Sequence, residues 1–287
     1  MSNGESCKTC PSSQDGSCSQ AQSIEEKSLV GCFNHVKNMI AVMSGKGGVG
    51  KSTVSSLLAL SLRQKGYEVG ILDADITGPS IPKAFGIARS PGVTPFGIQP
   101  PETRTGIKLM SINLLLPNED DPIIWRGPLL AGGVKQFWEE TDWRELDFMI
   151  VDLPPGTGDV PLTVLQSLPV TGVVIVTSPQ DLVSMVVKKS IKMTQKLDKP
   201  ILGLIENMSG VVCPCCGTFL EVFGRNRGQK VAEEMNIPYL GSLKWDPELI
   251  EMADEGTIED YKSEAVEEIT VRLLEEVKGK NPAPEEA

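Results

Sequence analysis

The sequence predicts an α/β fold: a mostly parallel, twisted sheet with helices on both faces. Two observations carry that prediction. Short, continuously apolar runs alternate with segments of helical spacing along most of the chain, the pattern of strands buried on both faces by crossover helices. The first of those runs, Met39-Ile40-Ala41-Val42-Met43, leads into a glycine-rich stretch at 44–53, and residues 54–63 then have helical composition and spacing. A chain of 287 residues is long enough for one large core with appendages, and residues 34–280 read as that single domain.

Taken in order, residues 1–33 are polar and rich in Ser, Gln and Cys without periodicity, the composition of a flexible arm. Residues 68–75 (Glu-Val-Gly-Ile-Leu-Asp-Ala-Asp) form a second buried strand that runs into a turn-rich loop at 76–82. Residues 89–106 are a Pro/Gly-rich excursion expected at the surface, followed by a strand near 107–112 and a helix at 128–139. Residues 147–152 form a strand that ends in an acid. Further strands fall at 172–177 and 201–206, separated by a helix from about 182 to 197. A compact cysteine segment at 211–219, a helix near 225–235, a strand near Tyr239 and an acidic helical tail complete the domain, and residues 281–287 read as a disordered end. Sheets of this kind bind ligands at the carboxyl ends of their strands, where these loops gather.

Composition narrows the class. A formal net charge of −11 argues against a nucleic-acid surface and against adhesion to anionic membranes, both of which need clustered basic residues. No apolar run approaches the roughly 20 residues of a membrane span, and the start of the chain lacks the basic and apolar segments of a secretion signal. The expected location is the cytoplasm. In that reducing compartment the seven cysteines point to metal binding rather than to disulfides.

The glycine-rich stretch carries the chemistry. Gly45 to Ser52 matches G-x-x-x-x-G-K-[ST], and a strand before it and a helix after it supply the context the motif requires, that of a P-loop NTPase. Gly45, Gly47, Gly48 and Gly50, with Val49 among them, let successive backbone N–H groups turn inward around a phosphate, and the helix opening at Lys51, Ser52 and Thr53 adds its positive end. Lys51 is expected to reach the β/γ-phosphates and Ser52 to ligate Mg²⁺. Asp152, closing an apolar strand, is expected to hold the Mg²⁺ shell through water; a helix-capping role is the structural alternative. Asp73 and Asp75 share one face at a strand end, and Asp75, further into the loop, is the candidate for orienting the attacking water. Lys46 is surplus to an ordinary phosphate loop. A lysine there can serve a nucleotide held by a partner subunit, in the manner of an arginine finger, or be a solvated loop residue.

Two groups of cysteines stand out. Cys213, Cys215 and Cys216 lie within four residues, and Cys213 with Cys216 forms a C-x-x-C whose sulfurs can face one metal. One such pair supplies two ligands, whereas zinc sites and iron–sulfur clusters commonly take four, so two copies across a dimer axis would complete a site. On spacing alone a redox dithiol, a zinc knob completed by other cysteines and a buried turn with inert thiols stay open. On the arm, Cys7, Cys10 and Cys18 form C-x-x-C-x₇-C, a candidate second cluster site one ligand short, with distant Cys32 available as a fourth; incidental thiols are the alternative. The single histidine, His35, is expected at the surface or in packing.

The loop Gly45-Lys46-Gly47-Gly48-Val49-Gly50-Lys51-Ser52-Thr53 resembles the deviant Walker A motif of the MinD/ParA/nitrogenase-iron-protein class. Five further segments resemble, in order, the Mrp/ApbC/Nbp group of iron–sulfur carrier ATPases: the stretch from Asp73 to Pro82, Trp125-Arg126-Gly127-Pro128, the stretch from Asp152 to Asp159, Glu206-Asn207-Met208-Ser209 and Cys213-Pro214-Cys215-Cys216. The resemblance covers about residues 38–258. It implies a homodimeric ATPase with Lys46 acting across the interface, Asp75 near the attacking water and Asn207 reading the adenine of ATP. It also implies that Cys213 and Cys216 hold, with their symmetry mates, a labile bridging [4Fe–4S] cluster that is passed to apo-proteins. Cys215 is an extra thiol in the motif, and the arm resembles the cluster-binding extension of Nbp-type members only in part, since its three compact cysteines and distant Cys32 depart from their spacing. A redox-active ATPase, a MinD/ParA-like positioning ATPase and a zinc-stabilised metabolic ATPase are the competing readings.

Overall fold

The computed structural model describes residues 34–75, 78, 80–115, 127–180 and 185–280. In chain order these form strand β1 (His35–Ser44), helix α1 (Lys51–Gln64), β2 (Val69–Asp73), the short α2 (Ile81–Ala84), β3 (Gly92–Thr94), β4 (Gly97–Gln99), β5 (Lys108–Ser111) and α3 (Gly127–Glu140). They continue with β6 (Glu145–Asp152), α4 (Asp159–Ser167), β7 (Gly172–Thr177), α5 (Met185–Lys196), β8 (Ile201–Glu206), β9 (Val211–Val212), β10 (Phe219–Leu220), α6 (Gly228–Glu234), β11 (Tyr239–Ser242), α7 (Pro247–Glu255) and α8 (Glu264–Lys280). Cys7, Cys10, Cys18 and Cys32, Trp125 and Arg126, and the tail at 281–287 lie outside the described residues.

Seven of the described strands form one sheet in the order β11-β8-β7-β1-β6-β2-β5, and every neighbouring pair is parallel. The apolar runs follow from that topology. Along β1, Ile40 and Val42 face one core layer while Met39, Ala41 and Met43 face the other, so each position needs a hydrophobe. The first layer is closed by α1 through Val54, Leu57 and Leu58 and by α8 through Val266, Ile269 and Leu273. The opposite layer takes Val134 and Phe137 of α3, Val164 of α4, Ile191 of α5 and Val231 of α6.

The sheet has one polar edge. The last residues of six strands are Ser44, Asp73, Ser111, Asp152, Thr177 and Glu206, and all six are buried. Buried polar groups cost free energy unless paired, so a row of them along the carboxyl edge marks where the molecule holds something other than its own core. The Pro/Gly-rich excursion is only partly a surface loop. It contains the hairpin β3–β4, and Ile98 bridges to Thr141, while Thr103 is buried against Glu259. The acidic helical tail is two helices, because Gly256 ends α7 in a left-handed conformation (φ 76°) that few side chains accept.

Candidate functional site

The glycine-rich loop spans the gap between β1, which ends at Ser44, and α1, which starts at Lys51. The start of α1 has no side-chain cap and no acidic residue in its first turn, which leaves the positive helix end and its backbone donors for an outside anion. Gly50 is required there. It holds φ 76°, and a Cβ at this position would run into the Asn207 amide. That amide donates to the carbonyl of Val49 at 2.9 Å, tying the loop to the end of β8. The cleft above the loop encloses about 250 Å³ and is lined by Lys46, the loop glycines, Lys51, Ser52, Asp75 and Pro155 among others. Lys46 is exposed on its rim.

Beneath the cleft, the sheet register brings the acids together. Asp73 on β2 and Val42 on β1 both pair with Asp152 on β6, so Asp152 sits between the loop strand and the Asp73 strand. Lys51 Nζ donates to Asp152 Oδ2 at 2.7 Å, and Ser52 Oγ donates to the same oxygen at 2.6 Å. Ser55, one turn further along α1, donates from Oγ to Asp152 Oδ1 at 2.6 Å. Lys51 Nζ also lies 3.8 Å from Asp75 Oδ2. Asp73 is buried beside this cluster, accepting from the backbone N–H of Asp75 at 3.1 Å and from Ser111 Oγ at 3.2 Å. Burial, followed by the negative charge of Asp152, pushes the Asp73 carboxyl up to about 8, with Lys51 opposing the shift.

The cysteines occupy a different kind of structure. β9 and β10 form an antiparallel hairpin of two-residue strands that projects just beyond the end of β8. Its turn is held by Cys213 N–H donating to the Thr218 carbonyl and Gly217 N–H donating to the Cys213 carbonyl, each at 2.9 Å, with Gly217 at φ 73°. Cys213 is half-buried, whereas Cys215 and Cys216 are exposed. Cys216 Sγ lies 3.2 Å from Thr218 Oγ1, and hydrogen bonds to the sulfur from the Thr218 side chain and backbone, then from Cys213, draw its pKa below the usual thiol range. Around the thiols, Val212, Phe219, Leu220 and Val222 expose apolar surface, Val222 as much as 57% of it. Among the described residues no group of three or more His, Cys, Asp or Glu side chains is placed to hold a metal ion.

The hairpin and the phosphate loop are neighbours through the chain. Only residues 208–212 separate Asn207, which touches the loop, from Cys213. Within that link Met208 takes a left-handed φ of 56°, the Ser209 N–H donates to the Leu243 carbonyl at 2.9 Å, and Phe219 packs over Gly210. Beyond the hairpin, the Glu206 carboxylate accepts from the backbone N–H groups of Arg227 and Gly228 at 3.3 and 3.2 Å, anchoring the return of the chain. Burial raises the Glu206 carboxyl above its ordinary range.

The structure therefore gathers Lys51, Ser52, Asp75 and Asp152 around one cleft, places Asn207 against the loop and sets Cys213 and Cys216 on an adjacent hairpin. Sequence reasoning missed Ser55, Ser111, Thr218 and Glu206. Ser55 had a readable signal, since position i+3 from Ser52 shares its helix face. Ser111 and Glu206 each end an apolar run, the signal that did identify Asp152.

Known proteins resemble this chain along most of its length. Residues 35–278 match the ParA family in its form described as the NUBPL iron-transfer P-loop NTPase. The iron–sulfur cluster carrier protein of Methanocaldococcus jannaschii is 44% identical over 283 residues, covering 96% of this chain and 97% of that one. The cytosolic Fe-S cluster assembly factor CFD1 of Kluyveromyces lactis is 40% identical over 258 residues, covering 84% of this chain and 90% of its own. Among solved structures, a nucleotide-binding protein from Archaeoglobus fulgidus in complex with ADP superposes with a TM-score of 0.73 at 42% identity, covering 80% of this chain and 90% of that one. The MinD protein of Aquifex aeolicus in its MinC:MinD complex shares the fold alone, at 19% identity and a TM-score of 0.58 over 87% of this chain and 98% of the chain compared.

Proposed function

We propose, from the premise that this chain belongs to the NUBPL-type iron-transfer P-loop NTPases, that it is an ATP-hydrolysing carrier that holds a labile [4Fe–4S] cluster between two copies of itself and passes it to apo-proteins. The observation that carries the reading is the pairing, at one edge of the sheet, of a glycine-rich loop with Lys51 and Ser52 at a cleft, all from one chain, and a cysteine pair that offers only two thiols. Cys213 and Cys216 offer two ligands on an exposed hairpin, and among the described residues no third ligand converges on them. Four-thiolate clusters need two more, and a symmetry-related hairpin supplies them. The apolar rim of Val212, Phe219, Leu220 and Val222 gives such a contact surface to bury.

The cleft residues have corresponding roles. The loop N–H groups and the start of α1 bind phosphate, and Lys51 neutralises its charge. Ser52 and, through water, Asp152 would hold Mg²⁺, which would offset the charge that develops on the phosphate. Asp75 orients the attacking water, Asn207 reads the base, and Lys46, exposed on the rim, reaches the nucleotide of the other copy. Exposure of the thiols favours a carrier over a redox-active ATPase, which needs a tightly held cluster. A MinD/ParA-like positioning role finds no support in α8, since its apolar face is used up against the domain core, and among the described residues no helix is long and apolar enough to cross a membrane. The cytoplasm is the compartment in which reduced thiols stay available for this work.

Iron and acid-labile sulfide per subunit after anaerobic reconstitution test the reading. The parent chain is expected to hold about two irons per subunit at this site, one four-iron cluster shared by two chains. The Cys213→Ala/Cys216→Ala variant should lose them. An iron pool that survives those substitutions would belong to Cys7, Cys10 and Cys18. Unchanged iron in the variant, or none in the parent, contradicts the proposal.

A further inference from the structure

Cys213 and Cys216 are not held alike, and Thr218 touches both. Cys213 is half-buried and tied through its backbone: its N–H donates to the Thr218 carbonyl and its carbonyl accepts from the Gly217 N–H, each at 2.9 Å. Cys216 is exposed, and the support it receives from Thr218 is directed at its sulfur. Thr218 Oγ1 lies 3.2 Å from Sγ, and the Thr218 backbone N–H bonds the same atom. Gly217, with its φ of 73°, makes the reversal that lets Thr218 face both cysteines.

From this geometry we infer that Thr218 is a positioning residue that makes Cys216 the first of the two sulfurs to let the cluster go. The inference rests on the carrier reading above and assigns the order of release within it. A thiolate has no proton to give, so toward an iron-bound Cys216 the Thr218 hydroxyl is the donor. A hydrogen bond to a ligand sulfur draws electron density away from iron and makes the thiolate a better leaving group. Transfer is then a ligand exchange with no change of oxidation state. A thiolate of the acceptor forms a bond to iron, the bond from iron to Cys216 Sγ breaks with its electron pair left on sulfur, and the Thr218 hydroxyl stabilises that charge. The proton lost by the acceptor thiol passes to water, which reaches this exposed turn. Exposure acts in the same direction, since an acceptor meets Cys216 before the half-buried Cys213.

Thr218→Val removes the hydroxyl and keeps the branched shape and the backbone, whereas Thr218→Ser keeps the hydroxyl. Full-length parent and variants are loaded anaerobically, and three quantities are read: iron per subunit, the reduction potential of the bound cluster, and the rate at which excess benzenethiol strips it under argon. Iron per subunit should be equal in all three chains. Thr218→Val should lower the potential and slow stripping about tenfold, the scale of one hydrogen bond to a charged group. Thr218→Ser should follow the parent in both. A purely structural role for Thr218 would leave the potential where it is. A Thr218→Val chain that shifts only one of the two quantities or neither, that sheds iron faster, or that fails to load overturns the inference and leaves the carrier reading intact. So does a Thr218→Ser chain that behaves like Thr218→Val. A parent chain that holds no iron at Cys213 and Cys216 would overturn both.

Discussion

The floor of the phosphate cleft and the cysteine hairpin both lie toward the carboxyl ends of strands of one sheet, yet they are built differently. In the floor, Asp152 takes donors on both oxygens from three side chains, and Asp73 is buried with its own two donors. Each strand that contributes an acid is paired on both sides within the sheet. The hairpin has two-residue strands, a turn held by two backbone bonds, one half-buried and two exposed thiols, and an exposed apolar rim. The difference is one of bracing: the floor is held from several sides, the hairpin from few. A buried, cross-braced site keeps its geometry without a ligand, whereas an exposed hairpin can yield its cargo because little else depends on it.

Two substitutions probe that contrast, the larger effect first. Lys46 belongs to the floor's loop by sequence but to the exposed rim by position. If the cleft also needs a second copy at its rim, Lys46→Ala should lower ATP turnover on the order of 10³-fold while ADP affinity changes little. Single-turnover hydrolysis beside ADP titration measures both, and unchanged turnover would mean that the cleft is complete without its rim lysine. The smaller effect lies in the floor itself. A carboxyl raised to about 8 in the fold keeps its proton in the native state while the unfolded chain, with an ordinary carboxylate, gives it up. The native state therefore binds more protons between about pH 4 and 8, and stability contributed by this group falls as pH rises through that window. Asp73→Asn removes the titration. Its melting temperature should rise above that of the parent by about 2–4 °C at pH 8 for each kcal/mol relieved, and by less at pH 5. A parent and variant that differ equally at both pH values would show that the floor does not store this cost.

Much of this arrangement was legible in the sequence, for reasons the structure makes plain. β7 and β8 have the bounds their apolar runs indicated, because both faces of a central parallel strand must be hydrophobic. β1 extends back to His35, which its apolar run did not reveal, since His35 and Lys37 lie at the exposed start of the strand and need no hydrophobe. α4 was hidden behind the glycines and prolines of the preceding loop and by Pro161 in its first turn, a position where proline is tolerated. The phosphate loop could be read because its backbone geometry demands glycines at set spacing. The support beneath it could not. That Ser55 and Ser111 donate to different acids depends on strand order, with β6 between β1 and β2, and no local pattern encodes that order. For the cysteines, spacing identified the pair, but only the structure shows Cys213 half-buried, Cys216 exposed and an apolar rim around them, which argues against a buried turn with inert thiols.

The central claim is that one chain suffices to bind nucleotide, whereas two chains are needed to hold the cluster. Molar mass by light scattering, taken before anaerobic cluster loading, after it and after chelation, with ADP stoichiometry measured alongside, tests it most directly. The account predicts that loading drives the mass to twice that of one chain and that chelation reverses the change. The Cys213→Ala/Cys216→Ala variant should show no doubling, and ADP should bind at the same ratio per chain throughout. A loaded protein that stays monomeric with about four irons on a single chain, or ADP binding that appears only in the doubled species, would contradict it.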